Sequence, residues 1–346
     1  MKANVLRIVV PTTLAAVVAL AGCGSTSAAG QGSGKSTGKN IVIGFSQSYT
    51  GNQYRQAEDK DFMAVAQKLK NAGKISGVDF LNANNSVSTQ VSQIDDLILK
   101  HVSILIVDPA SPTALNGAIA KAVAAGIPVL AFNDGPVTST KAYQFNFNNP
   151  KMDEVAMQYV ANRLHGHGNV LLIRGIAGTG TDNGFYQGMQ NVLKKYPGLK
   201  AVGTVYGNWT ESVAQSKVAS ILPSLPTVNA IVTEGGEGYG AIQAFNAAGK
   251  PVPLVVGGNR GVFLNWWAQQ AQKGYKTMSI SANPWIGGAA VYVAMDILNH
   301  QKVPKNMTMP LLQITQNQLS QYANVPLNGI AQKAYSNSWV TAHVIK

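Results

Sequence analysis

Cysteine is all but missing from this chain. Among 346 residues the one thiol belongs to Cys23, so no disulfide can form within the chain and the folded part depends on its apolar core. Histidine is scarce too, with five residues at 101, 165, 167, 300 and 343, and none stands in an H-E-x-x-H or G-x-S-x-G setting. His165 and His167 flank a helix-to-strand connection without a third candidate ligand, so neither a metal site nor hydrolase chemistry is indicated. Glycine-rich strand-to-helix turns occur at 175–180 and 235–240. A dinucleotide fingerprint starting at Gly178 would need glycine where Asn183 stands, and no P-loop lysine follows either turn. Acidic side chains are in short supply, 15 against 27 basic ones, for a net charge of +12. The basic residues are scattered, with no basic run and no interleaved aromatics, which argues against nucleic acid and for a solvated basic surface. Apolar runs of membrane-spanning length are missing as well: Ile8 to Leu20 is short and is broken by Pro11.

What is there begins with a leader. Lys2 and Arg7 precede that apolar stretch and Leu20-Ala21-Gly22-Cys23 closes it, the make-up of a secretory signal rather than of a structural helix. Its end resembles a lipoprotein signal, which implies that residues 1–23 are removed up to a lipidated Cys23 and that acyl chains anchor the protein to a membrane outside the cytoplasm. Loss of Lys2 and Arg7 lowers the net charge by two, to +10. Residues 24–39, GSTSAAGQGSGKSTGK, are too polar and too simple to order themselves and form a flexible tether with a reach of roughly 20 Å.

The chain is organised around Asn40 to Arg55, NIVIGFSQSYTGNQYR. Ile41 to Phe45 is continuously apolar and reads as a strand buried on both faces, with a helix starting near Gln53. Ligands of open α/β sheets bind beyond the carboxyl ends of the strands, so Ser46 to Arg55, rich in hydroxyls and amides, occupies the place of a small neutral ligand. Further strands are expected at 78–81, 103–107, 127–132 and 143–147, then at 169–174, 201–206, 230–233, 254–257 and 276–280. Amphipathic helices alternate with them, and an Asn148-Asn149-Pro150 joint separates two halves of about five strands each. No short sequence repeat is visible.

The collinear run IGFSQ, ILIVDPAS, GIPVLAFND, LLIRGIAGTG, GNWTES, AIQAFNAAGK and VVGGNRG resembles the ribose- and galactose-type sugar-binding proteins that feed ABC transporters. The resemblance covers Asn40 to about Gln316. It implies a type I periplasmic binding fold: two Rossmann-like lobes, 40–147 with 284–308 and 148–283 with 309–346, joined by three hinge crossings near 146–149, 282–284 and 308–311. It also implies binding without catalysis, no cofactor or metal, a monomer, and an ABC permease with its ATPase as partners. The last thirty residues, with Tyr335 and Trp339, match nothing in the compact family members and are expected on the hinge side. Carried over by position, Ser46, Asn52 and Tyr54 supply a hydroxyl, an amide and an aromatic wall, and Asp108 follows the third strand. Asn133-Asp134 replaces an Asp-Arg pair and Asn183 replaces an Arg, so two cations of the ribose pattern are expected to be gone. Trp209 aligns with a stacking aromatic, Glu234 with one of an amide pair, and Asn259 with an Asp. Arg55 and Arg260 are the remaining cations near the cleft.

Sugar chemistry points to the same residue types. Hydroxyls at the ring edge call for planar amides, carboxylates and guanidinium groups, and the C–H faces call for aromatics such as Tyr54 and Trp209. Single Asn or Asp residues at such loops also serve as helix caps. Trp266 and Trp267 are expected to pack in the core. The effector domain of a sugar-responsive repressor shares the fold, but the leader stands where its DNA-binding helices would be. A ligand sensor for a chemoreceptor or membrane kinase, taking a sugar, a nucleoside or a furanone signal, is the alternative reading.

Overall fold

The computed structural model describes residues 40–133 and 135–345; the leader, Cys23, the tether and Asp134 lie outside the described residues. Short apolar runs bounded by polar turns become strands, and the segments between them become helices. In chain order these are β1 (Val42–Gln47), α1 (Gln53–Asn71), β2 (Gly77–Asn82), α2 (Val87–Leu99), β3 (Ile104–Val107), α3 (Asn116–Ala124), β4 (Val129–Asn133) and β5 (Tyr143–Asn146). The second half runs α4 (Asn149–Arg163), β6 (His167–Arg174), α5 (Gly180–Lys195), β7 (Gly198–Tyr206), α6 (Glu211–Ile221), β8 (Ala230–Thr233), α7 (Gly238–Ala247), β9 (Leu254–Val256), α8 (Gly261–Ala271) and β10 (Ser279–Ser281). The remainder is α9 (Ile286–Leu298), β11 (Asn306–Thr308), β12 (Leu312–Ile314) and α10 (Asn337–Val340).

Two doubly wound lobes result. The first has a parallel sheet ordered β11-β5-β4-β3-β1-β2, the second a parallel sheet ordered β7-β6-β8-β9 beside the antiparallel pair β10-β12. Alternation along the strands divides each lobe into two apolar layers. Ile43, Phe45, Ile104 and Ile106 face α1 and α9, whereas Leu105 and Val107 face α2 and α3. Likewise Leu171 and Ile173 pack toward α6, α7 and α8, where Trp267 is fully buried, and Val170 and Leu172 toward α4 and α5.

Helix starts are set by local chemistry at the cleft. Asn52, Asn148 and Thr179 cap α1, α4 and α5 by accepting from the backbone N–H of Arg55, Lys151 and Asp182. Gly287 permits α9 to lie directly on α1, because a Cβ there would overlap the carbonyl oxygen of Glu58. That close approach fixes the helix that carries Arg55 and Glu58.

The chain passes between the lobes from β5 to α4, from β10 to α9 and from β11 to β12, and then once more. Ala331 belongs to the core of the second lobe, but Val340, Val344 and Ile345 are buried in the core of the first. The end of the chain, expected with residues 309–346 in the second lobe, therefore returns to the first. A four-residue helix carries too little periodicity for that return to be read beforehand.

Candidate ligand-binding site

The loops at the carboxyl ends of the strands enclose a cavity between the lobes with about 710 Å³ of empty space, its open mouth included. Asn52, Tyr54, Arg55 and Asn133 line it from the first lobe, and Trp209, Glu234 and Arg260 from the second. Seven sequence-derived candidates thus meet in one place. Ser46, Asp108, Asn183 and Asn259 are not among the lining residues.

In the first lobe the polar groups form a buried network. The Arg55 guanidinium pairs with Asp108 through Nη1 and Oδ2 and lies 3.4 Å from Glu58 Oε1. Asn133 sits at the end of β4 with φ 70°, a left-handed conformation that Asn tolerates. Its Nδ2 donates to Glu58 Oε2 and, at 3.3 Å, to Asp108 Oδ2, while its Oδ1 accepts from the Tyr54 hydroxyl at 2.9 Å. Behind them Gln47 Nε2 donates to Glu58 at 3.1 Å and to Asp59 at 2.8 Å. Asp108 is therefore covered by Arg55 rather than presented to the cavity. The cation expected to be lost with the Asp-Arg pair is supplied from α1.

The second lobe likewise keeps its cations. Arg174 holds Asp182 through two bonds, Nε–Oδ1 at 3.1 Å and Nη2–Oδ2 at 2.5 Å, and lies 3.9 Å from the ring centre of Tyr186. Arg260 Nη1 donates to Gln53 Oε1 at 3.0 Å, linking the lobes, and its Nε has no hydrogen-bond partner. Trp209 also keeps an unpartnered Nε1–H. Its indole lies against Gly175, where a Cβ would overlap the ring, and the turn at Asn208 and Trp209 places two consecutive non-glycine residues in the left-handed region, at φ 54° and 51°. Such strain is concentrated where a side chain must be aimed.

Other candidates are used inside the protein. Ser46 faces α2 and donates to Gln93 Oε1 at 3.2 Å, because Gln47, its neighbour on the strand, takes the opposite face. Asn259 is spent on Leu312 O at 2.8 Å and on Ser279 Oγ at 2.5 Å, tying β10 and β12 to the loop before α8. Asn183 is exposed on α5, since Thr181 and Phe185, four residues apart, take the cavity face. That i, i+4 pair just after a strand end was the available signal for a second-lobe contact. Ile330, also in the lining, offers no such signal.

Burial dominates the titration of the acids around the second lobe. Glu234 accepts from Gly175 N–H at 2.7 Å, yet burial and then the nearby Asp153 push its carboxyl up to about 11. Burial raises Glu237 to about 8 and Asp153 well above the ordinary range; neither oxygen of Asp153 has a hydrogen-bond partner. Asp59 is raised to about 6, again by burial, with Gln47 and Arg55 opposing. These groups hold protons in the folded state that the unfolded chain has released, so their contribution to stability falls as pH rises from about 4.5, through about 8 for Glu237 and about 11 for Glu234. Each such proton is worth up to about 1.4 kcal/mol per pH unit. Asp153→Asn is expected to flatten the decline of Tm between pH 5.5 and 8 in a thermal melt series. An unchanged slope would show that Asp153 is already ionised.

A family model described as the periplasmic binding protein domain matches residues 43–302. The chain is 36% identical over 182 residues to the xylitol-binding protein of Mycolicibacterium smegmatis, a match spanning 50% of this chain and 51% of that one. Over 284 residues it is 26% identical to the ribose import binding protein of Bacillus subtilis, covering 80% of this chain and 88% of the relative. A solved ABC transporter solute binding protein from Thermobispora bispora superposes with a TM-score of 0.81 at 31% identity, covering 88% of this chain and 94% of that one.

Proposed function

The chain belongs to the periplasmic binding protein family, and from that premise we propose that it captures a small neutral sugar or sugar alcohol between its lobes for an ABC importer. The observation that carries this reading is the interlobe cavity itself, where Trp209 and Arg260 retain N–H donors without partners beside the amides Asn52 and Asn133. Charge balance favours a neutral ligand. Arg55 is matched by Asp108 and Arg174 by Asp182, so of these three cations a sugar acid could meet only Arg260, which bonds the neutral Gln53 and lies close to the acids Glu211 and Glu237. The ligand's hydroxyls would meet the amides and guanidinium groups at its edge, with Trp209 and Tyr54 against its C–H faces. Closure about the hinge would bury it and create the surface that a permease recognises; no bond is made or broken. Lipidation of Cys23 would keep a monomer on the outer face of the membrane, near its permease and ATPase.

A thermal-shift screen of the full chain against xylitol, D-ribose, D-xylose, myo-inositol, a nucleoside and a sugar acid tests this. A ligand at a hundred times its dissociation constant adds about 2.7 kcal/mol, enough to raise Tm by several degrees. The expected result is a shift with a pentose or polyol and none with the acid. A shift confined to the nucleoside would overturn the substrate class.

A further inference from the structure

The last part of the chain, residues 323–345, crosses from the second lobe to the first over the hinge, and its two ends are anchored differently. At the second-lobe end it adds an extended segment to the loop that carries Arg260. Arg260 and Ile330 form an antiparallel bridge, Gly261 N–H donates to Gly329 O at 2.9 Å, Val262 N–H to Leu327 O at 3.1 Å, and Ala331 N–H to Asn259 O at 2.8 Å. Asn265 Nδ2 adds a bond to Val325 O at 2.9 Å. This segment leaves Ile330 in the cavity wall beside Arg260.

Across the hinge the chain is held first by a side chain that already belongs to another crossing. Asn283 Nδ2 donates to Lys333 O at 2.8 Å and its Oδ1 accepts from Lys333 N–H at 3.2 Å, which satisfies both backbone groups of an otherwise exposed residue. Gln332 Nε2 donates to Asp61 Oδ1 on α1 at 3.2 Å. At the first-lobe end Tyr335 packs edge-on against Trp285 and stacks on Trp339, with ring centres 5.7 and 3.6 Å apart, and Val340, Val344 and Ile345 enter the core.

We propose that this segment is a fourth hinge strap that positions Arg260 in the cleft and limits how far the two lobes can part. Only residues 332–334 separate the two anchors, and each can span at most about 3.3–3.6 Å, which limits the slack between them. Opening the cleft must therefore stretch the strap or strip the segment from the Arg260 loop. The restraint exists with or without ligand, so it goes beyond the binding reading and is tested apart from it.

The experiment uses the ligand-free full chain with Cys23→Ser and spin labels at Lys68→Cys on α1 and Lys217→Cys on α6, both exposed positions on different lobes. Electron–electron dipolar spectroscopy gives the interlobe distance distribution. Inserting about six Gly/Ser residues between Ala334 and Tyr335, with a reach of roughly 13 Å, slackens the strap while leaving both anchors intact. The expected result is a near-unchanged Tm with a distribution extended to longer distances. Asn283→Ala, which removes both bonds to Lys333 together with one from Trp285 N–H at 3.3 Å, should shift the distribution the same way. Distributions that superimpose on the parent's in both variants would overturn the strap, whatever the ligand screen shows.

Discussion

Arg55→Ala is expected to cost about 3–5 kcal/mol of folding stability, because it strips the cation from a network of buried carboxylates. Arg55 is 6% exposed, and Asp108 and Glu58, which it touches, are fully buried. Removing one member of a buried pair leaves the other desolvated without compensation, which is far more damaging than replacing both with apolar groups. Asn133 donates to both carboxylates, but an amide dipole cannot replace a full charge. Arg55→Lys should recover only part of the loss, since a compact, strongly hydrated ammonium is costlier to bury than a guanidinium. Denaturant unfolding of the ligand-free chain measures both variants. A loss below about 1 kcal/mol for Arg55→Ala would mean that the acids are neutral without it.

The same network shows which features were legible in the amino-acid sequence. Strands such as Ile104–Val107, with all four residues buried, were readable because a parallel sheet covered on both faces demands unbroken apolar runs. Trp209 and Arg260 could be placed in the cleft because both follow strand ends, where topology gathers the loops. What could not be read was which way a side chain turns and what it spends its hydrogen bonds on. Ser46 and Gln47 occupy one strand end, yet pleating sends them to opposite faces. Asn259 has the right residue type at the right loop but is fully engaged with Leu312 and Ser279. Position-by-position comparison with the ribose pattern suggested two missing cations and left Arg55 and Arg260 near the cleft; Arg174, paired with Asp182 outside the cavity lining, was not foreseen.

Trp209→Ala is expected to weaken binding of whichever sugar or polyol stabilises the parent by roughly 30- to 150-fold, or about 2–3 kcal/mol. Two contributions are lost together. The indole lines the cavity and offers an aromatic face to the ligand's C–H groups, and its buried Nε1–H is a donor with no partner inside the protein. Trp209→Phe separates them, since it keeps a ring for stacking and removes the donor; an intermediate loss would divide the effect between the two. Folding should survive either change. Trp209 is half-buried at the cleft, outside the apolar cores, and its left-handed backbone costs an alanine no more than it costs a tryptophan. Calorimetric titration together with a melt of the ligand-free chain is the check. Parent-like affinity in Trp209→Ala would remove this side chain from the site and leave Tyr54 as the aromatic wall, whereas a collapse of the ligand-free Tm would reassign the indole to holding the Gly175 and Gly235 loops together.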